Sequence, residues 1–89
     1  IKLSDIASEI NAEVRGWINY YGKFYGSLLK AFLQSINLKL ARWAERKYKR
    51  FRRKPNDAYK WLVKVASKSP NLFYHWQYGV KPNRLKSFG

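Results

Sequence analysis

Apolar residues recur at threes and fours through most of this chain, and two breaks divide the pattern: a glycine bracket at Gly22 and Gly26, and Pro55. Spacing of that kind places side chains on one face of a helix. Between Leu3 and Tyr21 the series is Leu3, Ile6, Ala7, Ile10, Val14, Trp17, Ile18 and Tyr21. Ser4 is a candidate N-cap, and Asn11 could cap a second helix starting at Ala12, so this stretch reads as one long helix or two shorter ones. After the glycine bracket, with Ser27 as the expected cap, the series Leu29, Phe32, Leu33, Ile36, Leu40, Trp43, Ala44 and Phe51 predicts a long helix reaching about residue 52.

Pro55 ends that helix and pushes Lys54 away from helical geometry. Asn56 and Asp57 suit the start of a third helix, which carries Tyr59, Trp61, Leu62, Val65 and Ala66 and stops at Ser69 and Pro70. The aromatic segment from Asn71 to Tyr78 is compatible with an extended strand or a short packed helix. Residues 80–89 read as a flexible tail. The expectation is all-α: a small three- to four-helix bundle over residues 1–79, with an aromatic-rich C-terminal segment. Trp17, Phe32 and Trp43 are assigned to its core, while Tyr20, Tyr25, Tyr48 and Tyr74 are left freer to meet a partner.

Charge then decides what such a bundle can do. Nineteen Lys and Arg stand against five acids in 89 residues, a net +14, and self-repulsion of that size favours an anionic partner. The first 13 residues hold Asp5, Glu9 and Glu13 against Lys2, whereas residues 14–89 hold eighteen cations against Glu45 and Asp57. The densest run is Lys39, Arg42, Arg46, Lys47, Lys49, Arg50, Arg52, Arg53 and Lys54. On a continuous helix, Lys39, Arg42, Arg46, Lys49, Arg50 and Arg53 would share an arc of roughly 100°. A helix that is merely soluble interleaves Glu with Lys, and this one offers only Glu45. Guanidinium groups suit bidentate phosphate contact, so nucleic acid is the expected partner and RNA the favoured kind. Arg15 is a further candidate contact.

Other functions find little in the sequence. No apolar run approaches a membrane span, and no membrane partner is expected. The five acids include no paired aspartates for polymerase metals, and His75 has no second ligand or nucleophile near it in sequence, so no catalytic residue, metal or cofactor is expected. The absence of cysteine excludes a disulfide framework and fits a reducing cytosol. Because it starts at Ile1 rather than Met, the chain reads as a piece of a longer protein.

The segment Ile10-Asn11-Ala12-Glu13-Val14-Arg15-Gly16-Trp17-Ile18-Asn19-Tyr20-Tyr21 resembles the signature of the group II intron maturase-specific domain, in which Asn, often followed by Pro, precedes Arg-Gly-Trp and Asn-Tyr-Tyr. Trp43-Ala44-Glu45-Arg46-Lys47-Tyr48 and Leu72-Phe73-Tyr74-His75-Trp76 are similar to that family too, so the likeness spans roughly residues 3–79. Ala12 departs from it where Pro is common. The resemblance implies a non-catalytic domain in the thumb or X region of an intron-encoded reverse transcriptase, which binds group II intron RNA and assists its folding, splicing and mobility. It also implies the fingers and palm of the same polypeptide as partners. A second reading stays open: a structural thumb that clamps primer and template, including DNA, without recognising an intron. Gly16, a costly residue inside a helix, implies close approach of another helix or of a phosphate, and helix packing is the expected reason.

Overall fold

A computed structural model describes residues 2–82, and every regular element among them is helical. Helix α1 runs Leu3–Tyr21, α2 Gly26–Lys47, α3 Pro55–Lys68 and α4 Tyr74–Gln77, with a 3₁₀ turn at Lys49–Phe51 between α2 and α3. α1 is one uninterrupted helix. Its cap position is Lys2 rather than Ser4, and the Lys2 backbone N–H donates to the Asp5 carboxylate at 2.8 Å. α2 starts at Gly26, ahead of Ser27, and α3 starts with Pro55 in its first turn, where a missing N–H costs nothing. Asn56 therefore lies inside α3 instead of capping it.

The core forms where the apolar faces of α1, α2 and α3 meet. Leu3, Ala7, Leu40, Ala41, Tyr59, Leu62 and Ala66 make one cluster, completed by Phe73 and Trp76 from the C-terminal segment. Val14, Ile18, Leu29 and Leu33 make a second, closed by Val80. The aromatic C-terminal segment thus supplies the two largest fully buried side chains of the described residues. Asn11, the alternative helix cap, holds that segment in place: its Nδ2 donates to the Leu72 carbonyl at 3.0 Å and its Oδ1 accepts from the Tyr74 N–H at 2.9 Å. Gly79 then takes φ +112, a conformation that suits glycine, and turns Val80 back onto α2. Val80 to Pro82, the first residues of the segment read as a tail, also run against α2, where the Gln34 side chain donates to the Lys81 carbonyl. Residues 83–89 lie outside the described ones.

Two expectations about side chains need correction. Phe32, assigned to the core, is 47% exposed and packs edge to face with the half-buried Trp17 ring, at 5.2 Å between centroids. Gly16 faces solvent, and a methyl group built on it would meet nothing within 4 Å, so no helix of the described chain packs there.

Candidate nucleic-acid interface

The long second helix ends five residues earlier than its apolar period implies. Tyr48 turns extended at φ −103 and ψ 123 after donating its N–H to the Ala44 carbonyl. Its ring enters an aromatic corner, edge-on to Trp43, Phe51 and Trp61 at 6.1, 5.9 and 5.4 Å. The period hides this break because Phe51 keeps the helical phase across it and is buried against Ala44 and Ala58. The chain reverses direction between Tyr48 and Pro55, and the reversal includes Arg53 at φ +61, a left-handed conformation that costs a non-glycine residue roughly 1 kcal/mol or more.

This break divides the expected arginine stripe. Lys39, Arg42 and Arg46 remain together on the outer face of α2, within an arc of about 60° at 100° per residue. Arg46 and Lys47 also sit in the last turn of α2, at the negative end of the helix dipole. Lys49 and Arg50 belong to the 3₁₀ turn, and Arg52, Arg53 and Lys54 to the reversal, so none of these five shares the α2 wheel. All of them are exposed. The aromatic corner positions two of the cations: the Lys47 ammonium lies 5.7 Å from the Trp43 ring centre, and the Arg50 guanidinium lies 4.7 Å from Phe51 and 5.7 Å from Tyr48. Contacts of that kind hold a long side chain over an apolar surface while its charge stays available.

The densest charge run drew attention away from α3. Lys60, Lys64 and Lys68 stand four apart on its exposed side, a pattern legible in the sequence once that helix is drawn. Lys60 and Lys64 meet Arg50 across an open groove that is lined also by Phe51, Trp61 and one acid, Asp57. The basic surface is therefore a band carried by the outer face of α2, the reversal, and the outer face of α3. Arg15 is exposed on α1, apart from this band in the sequence. Among the described residues, no group of three His, Asp or Glu side chains gathers as a metal site would require, and no helix is long and apolar enough to cross a membrane.

The family model for the group II intron maturase-specific domain matches residues 1–61. The chain belongs to that family. The matched part of this maturase-specific domain takes in the Arg-Gly-Trp and Asn-Tyr-Tyr motif of α1, all of α2 and the reversal with its cations. The segment at Leu72–Trp76 lies beyond the match, and its place in the domain is the core role described above. No curated protein and no solved structure matches the chain.

His75 is a core residue of the domain. It is fully buried, and its Nε2 lies 2.7 Å from the Asn37 Oδ1, which also accepts from the Trp76 indole N–H at 2.8 Å. Because that oxygen is an acceptor, Nε2 carries the imidazole proton. Nδ1 is buried without a partner, and burial pushes the His75 pKa from 6.5 down to about 4.

Proposed function

We propose that this domain binds group II intron RNA through phosphate contacts and so assists the folding, splicing and mobility of the intron as part of a larger reverse transcriptase. The observation that carries this reading is the band of exposed cations on α2, the reversal and α3, in a chain of net charge +14 that belongs to the maturase-specific family. Arg42, Arg46, Lys49, Arg50 and Arg53 are the main contacts, with Lys39, Lys47, Arg52 and Lys54 around them, Lys60 and Lys64 extending the band and Arg15 a secondary contact on α1. Each phosphate neutralised releases condensed counterions, and guanidinium groups add bidentate hydrogen bonds. Such contacts fix register and orientation without reading bases. Cations spread over several elements also let RNA strands approach one another at lower electrostatic cost, which is what folding a compact intron requires.

The polymerase residues belong elsewhere in the longer protein, whose fingers and palm are further partners, in bacterial cytoplasm or an organelle. The deciding experiment compares affinity for a folded group II intron transcript with affinity for an unrelated RNA duplex at matched salt. Tighter binding to the intron is expected. Equal affinity would replace this reading with that of a thumb clamping primer and template.

A further inference from the structure

The exposed face of α2 has two halves. Residues Leu28, Phe32, Ser35, Lys39, Arg42 and Arg46 follow at intervals of three and four, so they form one line along the outside of the helix, about 27 Å long at 1.5 Å per residue. The C-terminal half of that line is cationic and belongs to the proposed phosphate band. Its N-terminal half is apolar, with Leu28 72% exposed, and it continues into a surface of rings at the turn between α1 and α2. Tyr20 and Phe24 are 76% and 81% exposed there. Trp17, Tyr21, Tyr25, Leu28 and Phe32 line an open groove of about 380 Å³ beside them. Nothing in the described chain covers this surface.

The rings are arranged edge to face: Tyr20 on Tyr21 at 4.8 Å, Tyr21 on Tyr25 at 6.3 Å, and Trp17 on Phe32 at 5.2 Å. In each pair, the faces of one ring are left uncovered by the other. Glu13 stands one turn before Trp17 on α1, and from there to Ala44 the chain is charged in one sense. From Val14 to Ala44 the chain contains no acid, while Arg15, Lys23, Lys30, Lys39 and Arg42 fall in the same stretch. Open flat rings continuous with a cationic track are what a strand with unpaired bases requires: phosphates on the cations and bases on the rings. A patch kept for another protein's apolar surface would not need to continue into a line of cations.

We infer that the α1–α2 turn seats unpaired nucleobases of an RNA strand whose phosphates run along the outer face of α2. The seat rests on the RNA-binding reading and adds the class of RNA feature taken, a single-stranded or looped segment, because paired bases present no free face. Phe24 and Tyr20 are its outermost rings, Tyr25 lines the groove beside them, and Phe32 is its link to the cationic half.

The test uses two RNAs of equal phosphate number, an unstructured oligonucleotide carrying 2-aminopurine and a blunt duplex. The chain is compared with the Phe24→Ser/Tyr25→Ser variant at several salt concentrations. The expected result is fluorescence quenching of the single strand on binding, a loss of about tenfold or more in single-strand affinity in the variant, and unchanged duplex affinity and salt slope. Since both rings are exposed, the variant should keep its helical circular dichroism and melting temperature, and Phe32→Ser serves as a second probe of the same seat. Equal losses on both RNAs, or none on either, would overturn the seat while a retained salt slope left the phosphate band standing. Absence of salt-dependent binding to either RNA would overturn the band itself. A doubled mass in sedimentation, abolished by the same substitutions, would assign the surface to a second copy of the chain and overturn the seat.

Discussion

Asn37 and Phe32 stand five residues apart on the same helix, and each occupies the place that ordinary patterning gives to the other. The asparagine is fully buried and the phenylalanine is half exposed. The difference lies in where their partners are. Every hydrogen-bonding position of Asn37 is met from inside the chain: Nδ2 donates to the Val80 carbonyl at 3.2 Å and to Gln34 Oε1 at 2.9 Å, and Oδ1 accepts from His75 and Trp76. A buried amide satisfied in this way specifies one packing, here the docking of the C-terminal segment onto α2. Phe32, with Leu28, Phe24 and the tyrosines of the turn, has no such answer among the described residues. A polar group buried with all its partners explains itself, whereas an apolar surface exposed without any points outside the chain.

The sharpest way to break this comparison is to exchange the two characters. Asn37→Leu leaves the His75 and Trp76 N–H groups buried and unpaired, at a cost of about 3 kcal/mol, and a chain of this size should lose on the order of 15 °C in melting temperature. Phe32→Asn should cost about 1 kcal/mol or less, because little area is buried there. Comparable losses at the two positions would erase the distinction.

Acid should test the same network with an effect nearly as large. His75 is held neutral with a pKa near 4 against 6.5 when unfolded. Above pH 6.5 both states are neutral at this residue and it adds no pH dependence. As the pH falls from 6.5 towards 4, the unfolded state takes up a proton that the folded state refuses, so stability drops by up to about 3 kcal/mol. Denaturant melts at pH 7 and pH 4.5 would measure it.

Gly16 offers a smaller but two-sided test. It lies in the middle of α1 with open space where its Cβ would be. Gly16→Ala should therefore stabilise the helix by about 0.5 to 1 kcal/mol. If the bare backbone is there to admit a phosphate beside Arg15, the same substitution weakens RNA binding. A gain in melting temperature accompanied by a loss of affinity is the expected pair of results, and a gain with unchanged affinity would remove Gly16 from the interface.

Much of the fold was legible in the apolar period, because three helices with one buried face each must repeat at threes and fours, and Gly22 marks the end of α1 while Gly26 and Pro55 mark the starts of α2 and α3. The break at Tyr48 was not, since Phe51 preserves the phase and the cause is a tertiary cluster of four rings. Asn37 left no signal because a polar residue in a core position looks like a gap in the pattern. Its partners Trp76 and Val80 are some forty residues away. The charge run marked the cationic band on α2 and the reversal, yet its geometry changed once the helix ended at Lys47, and the lysines of α3 joined it only through packing. Resemblance to the maturase-specific family rested first on Arg15-Gly16-Trp17 and Asn19-Tyr20-Tyr21 of α1, outside the cationic band, and then on Trp43–Tyr48, inside it, and on Leu72–Trp76 in the core.

The central claim, that the cations on α2 and the reversal hold RNA by its phosphates, is tested most directly by the salt dependence of binding. The logarithm of affinity for intron RNA, plotted against the logarithm of salt concentration, should be linear and steep in the unaltered chain. Replacing Arg42, Arg46 and Arg50 together by Gln should flatten the slope by roughly two, at about 0.7 to 0.9 for each lost phosphate contact, with the melting temperature preserved. A triple variant that folds and shows the original slope would contradict the account.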